Sequence, residues 1–403
     1  MKKAHILLVL ICLGITTFSM LQGSIFGAVL PSIAQDLNIN WSLIGIMMSA
    51  WTGISILSTI FLGKYIHSLK PLHSITVVIM VLSLSTILTY FVKDFISLNT
   101  VRIMASFMVP FSFPLAAKLV ETQISSERRG IATAMYNTGS MIGLALAYVI
   151  VAIVNGVWRN AMIVAGLIGM IYIPVVYFLW KFYVNSRADM NEENNQNSNV
   201  QEDTEDLTKN VYKTIIWLSL GHFAAVYTWN LMFSWLSTFL IRELQLNYKV
   251  IALSLGIMAL FSSILEIFVG MWSDRMEGIK KRIVPLYAGL MPSTVLLMTS
   301  VFSSSSLLTT ISMSLSIFFW RLSTPSFWAI LGDMVPPKYF ERASGIYMRA
   351  VQFSGIVSSI LNGYIVSLTG SMRYAILLAS IILLFSPIFF TIGARLGYSA
   401  KKS

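Results

Sequence analysis

The chain has 403 residues, of which 56% are hydrophobic and only 11% charged, with a mean hydropathy of +0.75. That balance leaves too little polar surface for a water-soluble globule and points to a polytopic membrane protein. The single cysteine, Cys12, lies in an apolar run and excludes a disulfide framework or a cysteine metal site, and the net charge of +11 needs no nucleic-acid partner because the cations follow topology.

Met1, Lys2 and Lys3 precede an apolar run from Ile6 to about Leu30 that shows no small-residue cleavage site, so it reads as an uncleaved first span. Further runs follow at about 41–66, 72–92, 96–120, 130–154 and 158–183, and again at about 212–240, 248–273, 283–303, 306–334, 342–367 and 373–396. Each is long enough for a helix to cross a hydrocarbon core of about 30 Å at about 1.5 Å per residue. Between the two sets, residues 184–211 are rich in Asn and carry Asp189, Glu192, Glu193, Glu202, Asp203, Glu205 and Asp206. Such a stretch cannot bury a core and reads as a flexible acidic cytoplasmic linker between a first bundle, residues 1–183, and a second, residues 212–403. Of the 28 Lys and Arg residues, Lys93, Arg159, Arg242, Lys249 and Arg373 fall on one side, and Arg102, Arg321 and Arg349 fall inside apolar runs. The rest gather on the side of the termini and linker, which places both termini in the cytoplasm.

The two halves read as copies. Asp36, Leu37 and Asn40 align with Glu243, Leu244 and Asn247, and Gly63 with Gly270, at one offset. Glu127, Arg128, Gly156 and Arg159 align with Glu341, Arg342, Gly370 and Arg373 at a second.

Between the eighth and ninth runs, Gly270 is followed by Asp274 and Arg275 and then by Lys280, Lys281 and Arg282. This pattern resembles the signature loop of the major facilitator superfamily. The resemblance implies an all-α membrane protein with twelve transmembrane helices in two pseudo-symmetric six-helix bundles. It also implies a substrate site near the midplane between them, lined by helices 1, 4, 7 and 10. Glu121 and Asp333, with the Glu-Arg pairs at 127/128 and 341/342, resemble the family's inter-helix charge locks. His67 stands where the first-half copy of Asp274 belongs, so a lock there is not expected. Gly139 and Gly143, and Gly355 with Ser359, read as helix-packing pairs. Arg102 resembles the family's fourth-helix arginine, although Ser106 replaces the usual glycine, and the fifth run lacks the Gly-Pro signature of drug antiporters. The tenth-run residues Arg321, Pro325, Ser326, Trp328 and Asp333 are similar to the organic-anion and sugar-phosphate permease branches.

The informative residues for chemistry are ionisable and deep. Arg321, Arg349 and Arg102 outnumber the one deep carboxylate, Glu266, and the excess positive charge suits an anionic substrate, which a guanidinium holds through two parallel hydrogen bonds. The bland alternative is that these arginines serve only packing. Glu266 is expected beside Arg349, and Glu266 and His222 are the candidates for proton coupling. Given the helices implied to line the site, Tyr227, Asn230 and Trp328 become candidate substrate contacts, with Gln22 opposite. The expected function is a secondary active transporter, a monomer in the cell membrane, moving a small organic anion by alternating access in proton symport. The alternatives are efflux of a cationic or neutral compound by proton antiport through Glu266, or a non-transporting membrane sensor of the same fold. No metal-ligand spacing, phosphate loop or nucleophile motif is present, so neither enzyme activity nor a cofactor is expected.

Overall fold

The computed structural model describes residues 3–124, 126–188 and 209–402, and they are helical almost throughout. In chain order the helices are α1 (Lys3–Asp36), α2 (Trp41–Ser68), α3 (Pro71–Thr89), α4 (Phe95–Ser106), α5 (Ser112–Gln123), α6 (Ser126–Ile153) and α7 (Trp158–Ala188). After the acidic segment come α8 (Lys209–Arg242), the short α9 (Tyr248–Ile251), α10 (Ile257–Asp274), α11 (Lys280–Phe302), α12 (Ser306–Leu322), α13 (Thr324–Met334), α14 (Phe340–Thr369) and α15 (Arg373–Lys402). Among the described residues, 11 helical stretches are long and apolar enough to cross a membrane, α4–α5 and α9–α10 each counting as one. The tenth apolar run is divided between α12 and α13 and is not among them.

Proline explains where the fourth and tenth spans break. A proline inside a helix donates no amide hydrogen and crowds the carbonyl four residues earlier. Pro110 lies in a 3-10 turn, Val109–Phe111, between α4 and α5, and the carbonyl it leaves open belongs to Ser106. Ser55 of α2 donates its hydroxyl to that carbonyl at 3.1 Å, and Ser58 donates to the next, Phe107, at 2.8 Å. Pro325 does the same at the start of α13, where the chain bends at Ser323. The continuous fourth and tenth runs of the sequence are therefore each two helices. Within α11, Pro285 frees the carbonyl of Lys281, and Ser273 at the end of α10 donates to it.

The helices fall into two compact units. The first takes in Met1–Ile39, Ala50–Ser198 and Gln245–Gly256, and the second Asn40–Ser49, Asn199–Leu244 and Ile257–Ser403. In the first, α1 is central, and α6 meets it through Gly139 and Gly143. A side chain at Gly139 would lie 2.5 Å from the Leu13 carbonyl, and one at Gly143 2.8 Å from the Leu21 nitrogen. Small residues are what permit that approach in lipid. In the second, the opening of α2 packs on α14, where Gly45 lies so close to Gly363 that an added Cβ would sit 3.0 Å from its Cα. Ser49 donates to the Ile356 carbonyl at 3.1 Å, one step along the same contact.

The repeated residues do matching work in the two units. Arg159 at the start of α7 pairs with Asp36 at the end of α1 at 2.5 Å, and donates to the carbonyls of Tyr90 and Val92 beyond α3. Arg373 at the start of α15 faces Glu243 just after α8 at 3.7 Å, and donates to the carbonyls of Val301 and Ser303 at the end of α11. Each arginine thus ties three helix ends together. Just before it, Gly156 and Gly370 take φ of 74° and 71°, the left-handed region that suits glycine after a helix. Asn38 and Gln245, another repeat pair, take φ of 50° and 54°.

Candidate functional site

Arg321 occupies the last turn of α12, where the exposed carbonyls of a helix end favour a cation. Its Nη2 donates to Glu266 Oε2 of α10 at 2.5 Å, and the two side chains are 13% and 22% exposed. The Trp229 ring of α8 lies 5.9 Å from its Cζ, and Trp229 in turn stacks on Trp320 at 4.7 Å. Its Nε has no hydrogen-bond partner. Glu266 therefore pairs with Arg321 and not with Arg349. Arg349 is exposed, on the stripe of α14 that continues two turns later to Ile356 and then to Gly363. The sequence reading went wrong there because depth along a helix was matched without the rotation about its axis.

Arg102 of α4 has a different environment. It is 8% exposed, and its Cζ lies 3.8 Å from the ring centroids of both Phe26 of α1 and Trp51 of α2. Its Nε is buried without a hydrogen-bond partner, and among the described residues no carboxylate stands within ion-pairing distance. Aromatic faces attract a guanidinium but do not cancel its charge. Gln22, one helical turn before Phe26, takes the Thr86 hydroxyl on its Oε1 while its Nε2 stays buried and unpartnered. Arg102 Nε and Gln22 Nε2 are thus two orphaned donors of the first unit, which also leaves Asn99 Oδ1 and the hydroxyls of Thr17 and Ser112 without a partner.

The remaining candidates divide between packing and surface. Tyr227 is fully buried and donates to Asn362 Oδ1 at 3.2 Å, and Asn362 Nδ2 donates to Ser358 at 3.0 Å. Asn230 spends its amide on the Val226 carbonyl one turn back, at 2.9 Å. His222 is 1% exposed and lies among the rings of Phe327, Tyr347 and Phe390, the nearest centroid at 4.7 Å. At the signature loop, Gly270 is half-buried with open space where a Cβ would project, and Arg275 is exposed. Asp333 of α13 pairs with Arg282 of α11 at 2.6 Å, and Arg282 also reaches Ser273 at 3.4 Å. Glu121 and Arg342 are exposed. Gly63, Arg128, Asp274 and Trp328 lie in helices, but their side-chain surroundings are outside the described residues.

A helical chain with this many membrane-length spans and this loop matches the sequence profile of the Major Facilitator Superfamily over residues 12–359. The chain belongs to the major facilitator superfamily. It is similar to an uncharacterized transporter, YybO, of Bacillus subtilis (22% identical, covering 89% of this chain and 87% of that protein). It is also similar to a probable sulfoacetate transporter, SauU, of Cupriavidus necator (22%, covering 85% and 82%) and to a hexuronate transporter of Bacillus subtilis (24%, covering 96% and 93%). The fold matches the crystal structure of a bacterial homolog of the human lysosomal transporter Spinster, with a TM-score of 0.75 and 12% identity over 100% of this chain and 98% of that one. This major facilitator protein is accordingly a multi-pass membrane transporter and not an enzyme.

Sequence reasoning missed Phe26, Trp51, Asn362 and the role of Arg282. No spacing rule connects α1, α2 and α4 around one guanidinium, so the aromatic faces were invisible among the chain's 24 Phe and 10 Trp residues. Asn362 carried a readable signal, because an amide in an apolar run has to find partners when buried.

Proposed function

We propose that this major facilitator protein is a secondary active transporter that moves a small organic anion by alternating access, together with a proton. The observation that carries the reading is Arg102, a buried guanidinium with two aromatic neighbours and, among the described residues, no counter-charge. A lone arginine costs about 2.5 to 3.5 kcal/mol at the centre of a membrane helix on insertion scales, and a bound anion offsets that cost. The names of two relatives, a sulfoacetate and a hexuronate transporter, support an anionic cargo. Arg349, Tyr227, Asn230, Trp328 and Gln22 complete the proposed substrate contacts.

Proton coupling is assigned to the Glu266–Arg321 pair. While Glu266 is ionised, its contact with Nη2 neutralises Arg321. Protonation of Glu266 releases that guanidinium, whose Nε is already unpartnered, and restores a positive charge that an anion can answer. His222 is the second proposed proton carrier. Cation efflux through Glu266 is disfavoured because the carboxylate is already balanced by Arg321. Both termini are assigned to the cytoplasmic side on the distribution of the cations, and the protein is proposed to be a monomer in the cell membrane.

The test is uptake into proteoliposomes, assayed with carboxylates, sulfonates, sugar phosphates and cationic dyes, with and without an inward proton gradient. Anion uptake stimulated by the gradient supports the reading. Transport confined to cationic dyes, or no transport of any anion, overturns it.

A further inference from the structure

In the second unit, an exposed face of α11 runs beside an exposed face of α15. Lys280, Val284 and Tyr287 recur at four and three positions along α11, Ile388, Arg395 and Tyr398 share a stripe of α15, and all six are exposed. Two contacts fix the register of the two helices. The hydroxyls of Tyr287 and Thr391 are 3.4 Å apart, and the Tyr398 hydroxyl lies 3.7 Å from where a Cβ on Gly278, in the turn before α11, would stand. Lys280 and Val284 fall between these contacts along α11, and Arg395 falls between them along α15, so both cations border one groove. Tyr287 and Ile388 lie seven residues inward of Lys280 and Arg395, about 10 Å deeper at about 1.5 Å per residue. The groove is therefore cationic at its mouth and apolar below it. At the mouth the sequence places Arg275, Lys280, Lys281, Arg395, Lys401 and Lys402 against Asp274 and Glu277, while Arg282 and Asp333 cancel one another. The excess is positive, and none of these cations stands among the proposed substrate contacts.

We infer that the groove between α11 and α15 holds an anionic phospholipid, its phosphate between Lys280 and Arg395 and an acyl chain along Val284, Tyr287 and Ile388. Charge complementarity selects the headgroup. Ammonium and guanidinium groups clustered at the end of a membrane span attract headgroups of net negative charge and bind phosphate oxygens through charge-assisted hydrogen bonds. A zwitterionic headgroup balances its phosphate within itself, so phosphatidylcholine gains little from these cations. The apolar wall selects the rest of the molecule, because inorganic phosphate can meet the cations but leaves Val284 and Ile388 uncovered. A tyrosine exposed near the end of a span, as Tyr398 is, belongs at the level where acyl chains meet headgroups. The occupant touches two helices that are adjacent only in the folded protein, so its binding stabilises the fold. This site stands whether or not the transported cargo is an anion.

The experiment is lipid binding to the purified full-length protein in detergent, read by native mass spectrometry and by thermal unfolding. The probes are phosphatidylglycerol, phosphatidylcholine with the same acyl chains, and inorganic phosphate. Phosphatidylglycerol is expected to bind at least tenfold more tightly than phosphatidylcholine and to raise the unfolding temperature, while inorganic phosphate at the same concentration leaves that temperature unchanged. Lys280→Gln combined with Arg395→Gln is expected to lose at least tenfold in affinity for phosphatidylglycerol. Lys70→Gln combined with Lys181→Gln removes the same charge from exposed positions of the first unit and is expected to bind within twofold of the parent. Size-exclusion profiles matching the parent confirm that both double variants fold. Equal losses in the two would reduce the binding to diffuse attraction and overturn the groove. Phosphatidylcholine binding as tightly as phosphatidylglycerol would overturn the role of the cations, and stabilisation by inorganic phosphate equal to that by the lipid would overturn the lipid as occupant.

Discussion

Arg102 is buried and Arg321 largely so, with 13% of its side chain exposed, and their neighbours separate them. Arg321 spends its charge on Glu266, whereas Arg102 meets two aromatic faces and, among the described residues, no carboxylate. Breaking a buried ion pair from one side leaves an uncompensated charge and typically costs about 3 to 5 kcal/mol, while removing both partners costs far less. Glu266→Gln and Arg321→Gln are each expected to lower the thermal unfolding temperature in detergent, and the double variant to recover most of the loss. Equal, additive losses would show that the two residues do not act as a pair. Arg102→Gln is expected to behave in the opposite way, keeping or raising stability while abolishing anion uptake, because it removes a charge that the empty site leaves unanswered.

At the scale of the element, helix ends and breaks decide where these side chains stand. Asp94 caps α4 by accepting from the Ser97 amide at 2.8 Å, and Ser97 closes a reciprocal capping box. The Ser97 backbone and side-chain hydrogen bonds hold the Asp94 carboxyl below its usual range. A carboxyl with a depressed folded pKa contributes stability above its unfolded pKa of about 3.9 and loses it as pH falls through the folded value. Amide exchange in the first turn of α4 should therefore accelerate below about pH 4 beyond the intrinsic chemical trend. Asp94→Asn, which retains a cap without a titrating group, should abolish that acceleration. The helix contact at Gly45 and Gly363 makes a steric demand of a different kind. A leucine at Gly363 should push the opening of α2 off α14 and reduce uptake at least tenfold, whereas Gly270→Ala, which meets open space, should cost less than twofold. Comparable losses in the two variants would mean that close approach is not what Gly363 provides.

Across the whole molecule, the repeat legible in the sequence turns out to be a repeat of bonds. Asp36 and Arg159 were aligned with Glu243 and Arg373 on spacing alone, and each pair meets at the matching helix ends of its own unit. The spans themselves were legible because a membrane-crossing helix has to be apolar along its whole length. The breaks at Pro110 and Pro325 were less so, since an apolar run reads the same whether or not its backbone is interrupted. The partner of Glu266 and the aromatic clamp on Arg102 could not be read at all, because they depend on the rotation of helices far apart in sequence. The arginine of each clamp also holds two carbonyls, so Arg159→Gln and Arg373→Gln should destabilise the protein more than Asp36→Asn in thermal unfolding. Equal losses would indicate that the ion pair alone matters.

The most direct measurement is proton entry recorded alongside anion uptake in proteoliposomes of the parent protein, Arg102→Gln and Glu266→Gln. The parent should take up a small organic anion with protons entering in step, Arg102→Gln should do neither, and Glu266→Gln should exchange anion across the membrane without a proton gradient driving net uptake. Undiminished anion uptake by Arg102→Gln, or uptake by the parent that moves no protons, would contradict the account.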